Sequence, residues 1–365
     1  MPPPVIAPHA PAQPPRRGRG WMVFALILLV LLAVSMLYNF GNLVSGLLHG
    51  KGMKGYSHTA GPRLEEVLRE DNDVSNTKIA VVEVNGIITS ATIDQAGGYN
   101  MVDVIHAQLK RAEEDDKVKA VILKVDSPGG EVLASDEINQ LLVQFQKKSG
   151  KPVVGSMGNL AASGGYYISA PCRWIVANEL TITGSIGVIM STWNYRGLMN
   201  KVGLVPETFK SGKFKDMLSG SREPDSITEE ERAMVQALIN ETYGRFTNVV
   251  QHGRDSAHDS NKSEGKQLSA DWTDYADGRV LSGNEALKLG LVDQVGDFED
   301  AVKRAKTIAS IGKANIIEYQ QRYDLSDFFR LFGQSESKTV KVDLGMDGPK
   351  LKAGQLYFLS PTFLR

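Results

Sequence analysis

VKAVILKVDSPGGE, residues Val118–Glu131, joins a run rich in β-branched and aliphatic residues to a proline and two glycines. Such a run reads as a buried strand, and the Pro-Gly-Gly that closes it reads as a turn. The next two elements set the fold class. ASDEINQLLVQFQKKSGK (Ala134–Lys151) has the apolar period of an amphipathic helix with a cap expected at Ser135, and PVVGSM returns to a strand. Upstream, KIAVVEVNGIITS (Lys78–Ser90) reads as a strand and turn, and MVDVIHAQLKRAEED (Met101–Asp115) as a helix. Strand and helix in strict alternation predict an α/β fold on a mainly parallel sheet, wound by right-handed crossovers.

Downstream, RWIVANE and GSIGVIMSTW read as short strands, followed by a helical segment and the loop FKSGKFKDMLSGSREP. Thr228–Val250 predicts a long amphipathic helix, because its TEEE start places acidic side chains at the positive end of the helix dipole. Gly278–Lys306 predicts a turn and two helical pieces. The stretch from Ser335 to Arg365 mixes polar and apolar residues without a readable period.

The first fifty residues differ in kind. Residues 1–20 are proline-rich and then basic, with Arg16, Arg17 and Arg19 just before WMVFALILLVLLAVSMLY (Trp21–Tyr38), which holds no charge. As a helix these residues would span roughly 27 Å, close to a bilayer core. The expectation is a transmembrane anchor over 21–43, N-terminus in the cytoplasm, the rest of the chain extracytoplasmic. A cleaved signal is the rival reading, since AVS at Ala33–Ser35 imitates a cleavage site. The domain limits expected are a tail at 1–20, the anchor at 21–43, a juxtamembrane linker at 44–76, a catalytic domain at 77–310 and a C-terminal extension at 311–365.

Composition narrows the function. A net charge of −1, with both signs mixed along most of the chain, offers no nucleic-acid surface. The single cysteine, Cys172, excludes an intrachain disulfide and reads as a small buried residue. No HExxH pair is present among six histidines, and no phosphate-binding glycine loop, so neither a metal nor a nucleotide cofactor is expected.

NLAASGGYYISAP (Asn159–Pro171) places Ser163 between two alanines and two glycines, after a strand and at a helix start. A serine hydroxyl needs a base and donors for a developing oxyanion to act as a nucleophile. Gly129 and Gly130 stand at the carboxyl end of a strand, where α/β sheets bind ligands, and could offer backbone N–H groups. Small residues also serve plain tight packing, and a Pro-Gly-Gly run also serves as a plain turn. For the base, histidines from elsewhere in the chain stay open; so does a lysine of KSGKFKD, whose amine can take a proton when its surroundings favour the neutral form. The residues alone do not choose among Lys210, Lys213 and Lys215.

The ordered set DSPGG, NLAASGGYYIS, TGSIGV, KSGKFKD and ADGRVLSGNEALKLGLVD resembles the signal peptide peptidase A family over roughly Lys78–Lys306. The resemblance implies a Clp protease/crotonase-like repeated β-β-α spiral and a membrane serine endopeptidase with a Ser-Lys dyad. It makes Ser163 the nucleophile and Lys215 the base, and their 52-residue separation fits the family's short form. It places Gly129 and Gly130 at the oxyanion hole, with Ser185 a candidate to orient the amine and Asn159 a candidate to fix the nucleophile loop. It further implies a homo-oligomer, in some members with sites completed across a subunit boundary, acting on cleaved signal peptides or other unstructured apolar peptides beside membrane lipid. A non-catalytic peptide-binding scaffold is the alternative, and a crotonase-like acyl-CoA enzyme a more distant one.

Overall fold

The computed structural model describes residues 24–32, 34–36, 61–70, 76–92, 99–262, 264–321 and 357–359. The chain divides into two units, 1–60 and 61–365. In the first, residues 24–32 and 34–36 are helical, with Phe24, Leu26 and Leu29 about two-thirds exposed. Among the described residues no helix is long and apolar enough to cross a membrane. The other positions of the 21–43 span, the 1–20 tail and most of the C-terminal extension lie outside the described residues.

In the second unit the order is β1 (Leu64–Glu70), β2 (Lys78–Asn85), α1 (Met101–Glu114), β3 (Val118–Ser127), β4 (Gly129–Glu131), α2 (Val132–Ser149), β5 (Val153–Ala162) and α3 (Gly164–Ser169). Then come β6 (Trp174–Ala177), β7 (Ile182–Gly184), α4 (Arg196–Lys201), α5 (Glu229–Ser260), β8 (Val280–Ser282), α6 (Gly283–Lys288), β9 (Gln294–Val295), α7 (Phe298–Ile308), β10 (Asn315–Gln321) and β11 (Tyr357–Leu359). The main sheet runs β1-β10-β2-β3-β5-β6-β9, with β7 beside β5 and β8 beside β7, and is parallel except where β1 meets β10 and where β7 meets β8. The fold is mixed α/β with a largely parallel sheet.

Both faces of that sheet are covered, which is why its strands read as unbroken apolar runs. Along β2 the period of two sends Ile79 and Val81 to the α7 side with Ala301, Val302 and Ala305, and Ala80, Val82 and Val84 to the other side with Ile105 and Leu109 of α1. Each fully buried leucine or isoleucine contributes about 1.5–3 kcal/mol. Helix starts are set locally: Asn100 and Thr228 each form a reciprocal capping box, with Asp103 and Glu231, at the heads of α1 and α5. The expected cap at Ser135 is not one. Helix α2 begins at Val132 directly from extended Glu131, and the Ser135 hydroxyl, already in the first turn, donates back to the Glu131 carbonyl at 2.8 Å.

The sheet also reaches past the 77–310 limits expected for the catalytic domain. Strand β1, inside the stretch read as linker, pairs antiparallel with β10, which lies beyond 310. Cys172 is fully buried, and burial pushes its thiol up to about 12, so it behaves as a small apolar residue.

One buried ion pair ties α5 to the sheet. Arg254 and Asp293 are fully buried and paired; the guanidinium also donates to the Cys172 carbonyl at 3.0 Å. Asp293 accepts the backbone N–H of Ile175 at 2.8 Å and of Lys266 at 3.1 Å. Arg254→Met removes the cation and leaves the carboxylate buried with backbone donors only. Unfolding in urea is expected to show a loss of about 3–5 kcal/mol; a loss below about 1 kcal/mol would mean the pair does not hold α5 in place.

Candidate active site

Strand β5 runs into α3 through a single residue, Ser163, whose φ of 53° and ψ of −117° lie outside the ordinary regions for an L-residue. Such a conformation persists only where its surroundings hold it. Here the Ser163 N–H donates to the Gly184 carbonyl at the end of β7 at 2.8 Å, and its carbonyl accepts from Tyr167 N–H at 2.8 Å. The hydroxyl makes no hydrogen bond to any described residue. Asp126 at the end of β3 steers the approach, because its carboxylate accepts the Leu160 N–H at 3.1 Å where the β3–β5 register shifts.

Ser163 opens into a pocket of about 280 Å³, lined also by Ser185, Ile186–Ile189, Tyr243, Asp277 and residues of α5. The structure therefore brings Ser163 and Ser185 together. Ser185 also has positive φ, 49°, and is held by an N–H bond to the Arg279 carbonyl at 2.7 Å. Asn159 is exposed on β5 and does not line the pocket.

Gly129 and Gly130 pass beside the serine turn. A Cβ on Gly129 (φ 99°) would lie 1.9 Å from the Phe358 carbonyl oxygen and 2.6 Å from the Gly164 nitrogen; one on Gly130 would lie 1.9 Å from the Ile88 carbonyl oxygen. No other residue fits either position. The Gly129 N–H is occupied by the Ser127 hydroxyl at 3.1 Å. Ile88 takes the Gly129 carbonyl and the Glu131 N–H, so strand alternation turns the Gly130 N–H the other way. The Gly130 N–H thus faces β11, where Gly130 pairs with Phe358, and the Gly164 N–H stands at the head of α3 directly after Ser163, a position that supplies an oxyanion donor on other folds.

No lysine or histidine is among the described residues lining the pocket. Asp277 is there, but its hydrogen bonds from Arg279 hold its carboxyl down at about 2, too weak a base to take a serine proton. The Tyr243 hydroxyl is committed to the Ala276 carbonyl at 2.7 Å. Lys215 lies elsewhere, exposed, in a run of turns between α4 and α5. Of the three lysines there, Lys210 pairs with Asp216 at 2.8 Å and Lys213 with Glu230 at 2.6 Å, while the Lys215 ammonium makes no ion pair among the described residues.

Residues 145–312 match the model of peptidase family S49. The chain is 38% identical over 291 residues to "Putative signal peptide peptidase SppA" of Enterococcus faecium, covering 76% of this chain and 80% of that protein. It is 39% identical over 271 residues to "Putative protease slr0021" of Synechocystis sp., covering 74% and 88%. With "Serine protease SPPA, chloroplastic" of Arabidopsis thaliana it shares 32% identity over 236 residues, 64% of this chain and 33% of that one. At these identities and coverages the chain belongs to peptidase family S49, and its activity is that of a serine protease.

Proposed function

We propose that Ser163 is the nucleophile and that its base is Lys215 of a second copy of the chain. The observation that carries this reading is the serine itself, poised on a strained turn beside two backbone donors, in a pocket with no competent base among the described residues that line it. Ser163 Oγ attacks the scissile carbonyl while the neutral amine takes its proton. The N–H groups of Gly130 and Gly164 receive the oxyanion, the ammonium protonates the leaving amine, and water releases the acyl group. Ser185 orients the amine, a role supported by its lining the same pocket as Ser163.

The second copy finds support in the segment that carries Lys215. Trp193, Leu204, Val205 and Phe209 are 83%, 58%, 80% and 89% exposed, apolar side chains available to a partner chain. The strand order, in which β2, β3, β5 and β6 follow one another across the sheet, supports the repeated β-β-α spiral of the Clp protease and crotonase groups. The peptidase domain then extends from 77–310 out to β1 and β10.

For substrate and place, the reading is a single-pass membrane enzyme, cytoplasmic at its N-terminus and catalytic on the outside, that degrades cleaved signal peptides or other unstructured apolar peptides. The uncharged run after Arg16, Arg17 and Arg19, with its exposed helical residues, supports the anchor. A serine-directed fluorophosphonate tests the nucleophile: peptide mapping is expected to find one label per chain, on Ser163. Labelling of any other serine would overturn it.

A further inference from the structure

The loop that carries Lys215 is closed at its neck. The Tyr195 N–H donates to the Gly220 carbonyl at 2.9 Å, the Asn194 amide donates to the Arg222 carbonyl at 3.0 Å, and Arg196 pairs with Glu223 at 2.7 Å. Residues 195–220 therefore leave and return at one place. A Cβ on Gly220 would come within 2.1 Å of the Trp193 carbonyl oxygen, so the neck closes only over a glycine. Inside the loop the lysine rides on a tight turn, its N–H donating to the Gly212 carbonyl at 3.2 Å.

Arg222 reaches from the neck in two directions. Toward α5 it donates to Glu231 and to the Ser226 carbonyl, each at 2.5 Å. Glu231, in the first turn of α5, is buried and also accepts the Thr228 N–H at 2.8 Å. The Arg222 guanidinium, with that N–H, holds the Glu231 carboxyl down at about 2, so the anchor stays charged at any pH where a lysine base works. Toward the loop, the same guanidinium lies 3.6 Å from Asp216, whose carboxylate accepts from Lys210 at 2.8 Å. Asp216 is the residue directly after Lys215.

That adjacency matters for the chemistry of an amine base. A bare carboxylate beside an ammonium favours the charged form and postpones its loss of a proton to higher pH. Here the surrounding acids are taken by other cations. Asp216 is held by Lys210 and Arg222, Glu223 by Arg196, and at the head of α5 Glu229 by Arg232, Glu230 by Lys213 and Glu231 by Arg222. The other acids of the segment, Glu207 and Asp225, are exposed and lie eight and ten residues from Lys215 along the chain. In the Ser163 pocket, Asp277 is likewise held by Arg279. The Lys215 amine is left without an ion pair among the described residues.

We infer that Arg222 is the positioning residue of Lys215: it fastens the lysine-bearing loop to the head of α5 and, with Lys210, occupies Asp216 so that no neighbouring carboxylate holds the lysine's proton. The inference rests on Lys215 being the base.

The full chain, in detergent, is assayed on a leucine- and alanine-rich peptide, with kcat and KM followed across the rising limb of the pH profile. Arg222→Gln is expected to lower kcat on the order of 30-fold with KM within about twofold, because the amine is misplaced while the peptide groove is untouched. Arg222→Lys, which keeps the charge, is expected to recover most of that loss. Lys210→Gln and Arg222→Gln are each expected to move the midpoint of the limb up by about half a pH unit, and Asp216→Asn added to either is expected to return it. A merely structural role would lower stability without moving that midpoint. Unchanged kcat in a folded Arg222→Gln chain overturns the anchor, and an unmoved midpoint overturns the occupation of Asp216. Should Arg222→Gln not fold, Lys210→Gln, at a part-exposed side chain, decides through the midpoint alone. Lys215→Ala, run alongside, separates the two readings, since full activity in that variant would remove the lysine base itself, whatever Arg222 does.

Discussion

Ser163→Ala is expected to lower kcat/KM for an unstructured, leucine- and alanine-rich peptide by on the order of 10⁵-fold, with the fold retained. The size reflects the role: a nucleophile, its base and its oxyanion donors act as one unit, and removal of the nucleophile leaves only what binding and backbone donors supply. Structure should survive because alanine tolerates φ of 53° no worse than serine does, and the hydroxyl makes no hydrogen bond to a described residue. Circular dichroism and a urea midpoint check that condition. Residual activity within tenfold of wild type in a folded variant would place the chemistry on another residue.

Lys215→Ala is expected to be nearly as damaging, and the two dead variants are expected to rescue each other when mixed. If each site joins Ser163 of one copy to Lys215 of another, random exchange at equal amounts restores about a quarter of the intact sites. A base within the same chain predicts no rescue, so the mixture discriminates between the arrangements. The pH profile has a fixed sign. Only the neutral amine takes a proton, so activity rises with pH and is lost as pH falls. Asp277 as base would instead leave activity flat down to pH near 3, since its carboxyl is held at about 2. Lys215→Ala variants with full activity would remove the lysine from the mechanism.

Much of the site's surroundings was legible because the relevant signals are local. The β-branched run of β3, the amphipathic period of α2 and the acidic start of α5 each encode their element within a dozen or so residues. Small residues around Ser163 mark a place where chains approach closely, and the glycines at 129 and 130 prove to be positions where a Cβ would strike backbone. Choosing between the two glycines was beyond motif reading. It depends on the Ser127 hydroxyl having taken the Gly129 N–H, a contact made only once β3 and β4 are in place.

The alternation of strand and helix, the largely parallel sheet and the serine at a strand-to-helix junction were determined by the sequence alone, because burial and periodicity act over neighbouring residues. Tertiary structure decided the rest. Strand β1 finds its partner about 250 residues later, and Tyr357–Leu359, three apolar residues in an otherwise unreadable stretch, become a strand only because β4 and Ile189 offer backbone partners on both sides. Lys215 falls under the same limit: it lies among turns between α4 and α5, and no spacing along the chain encodes where those turns sit.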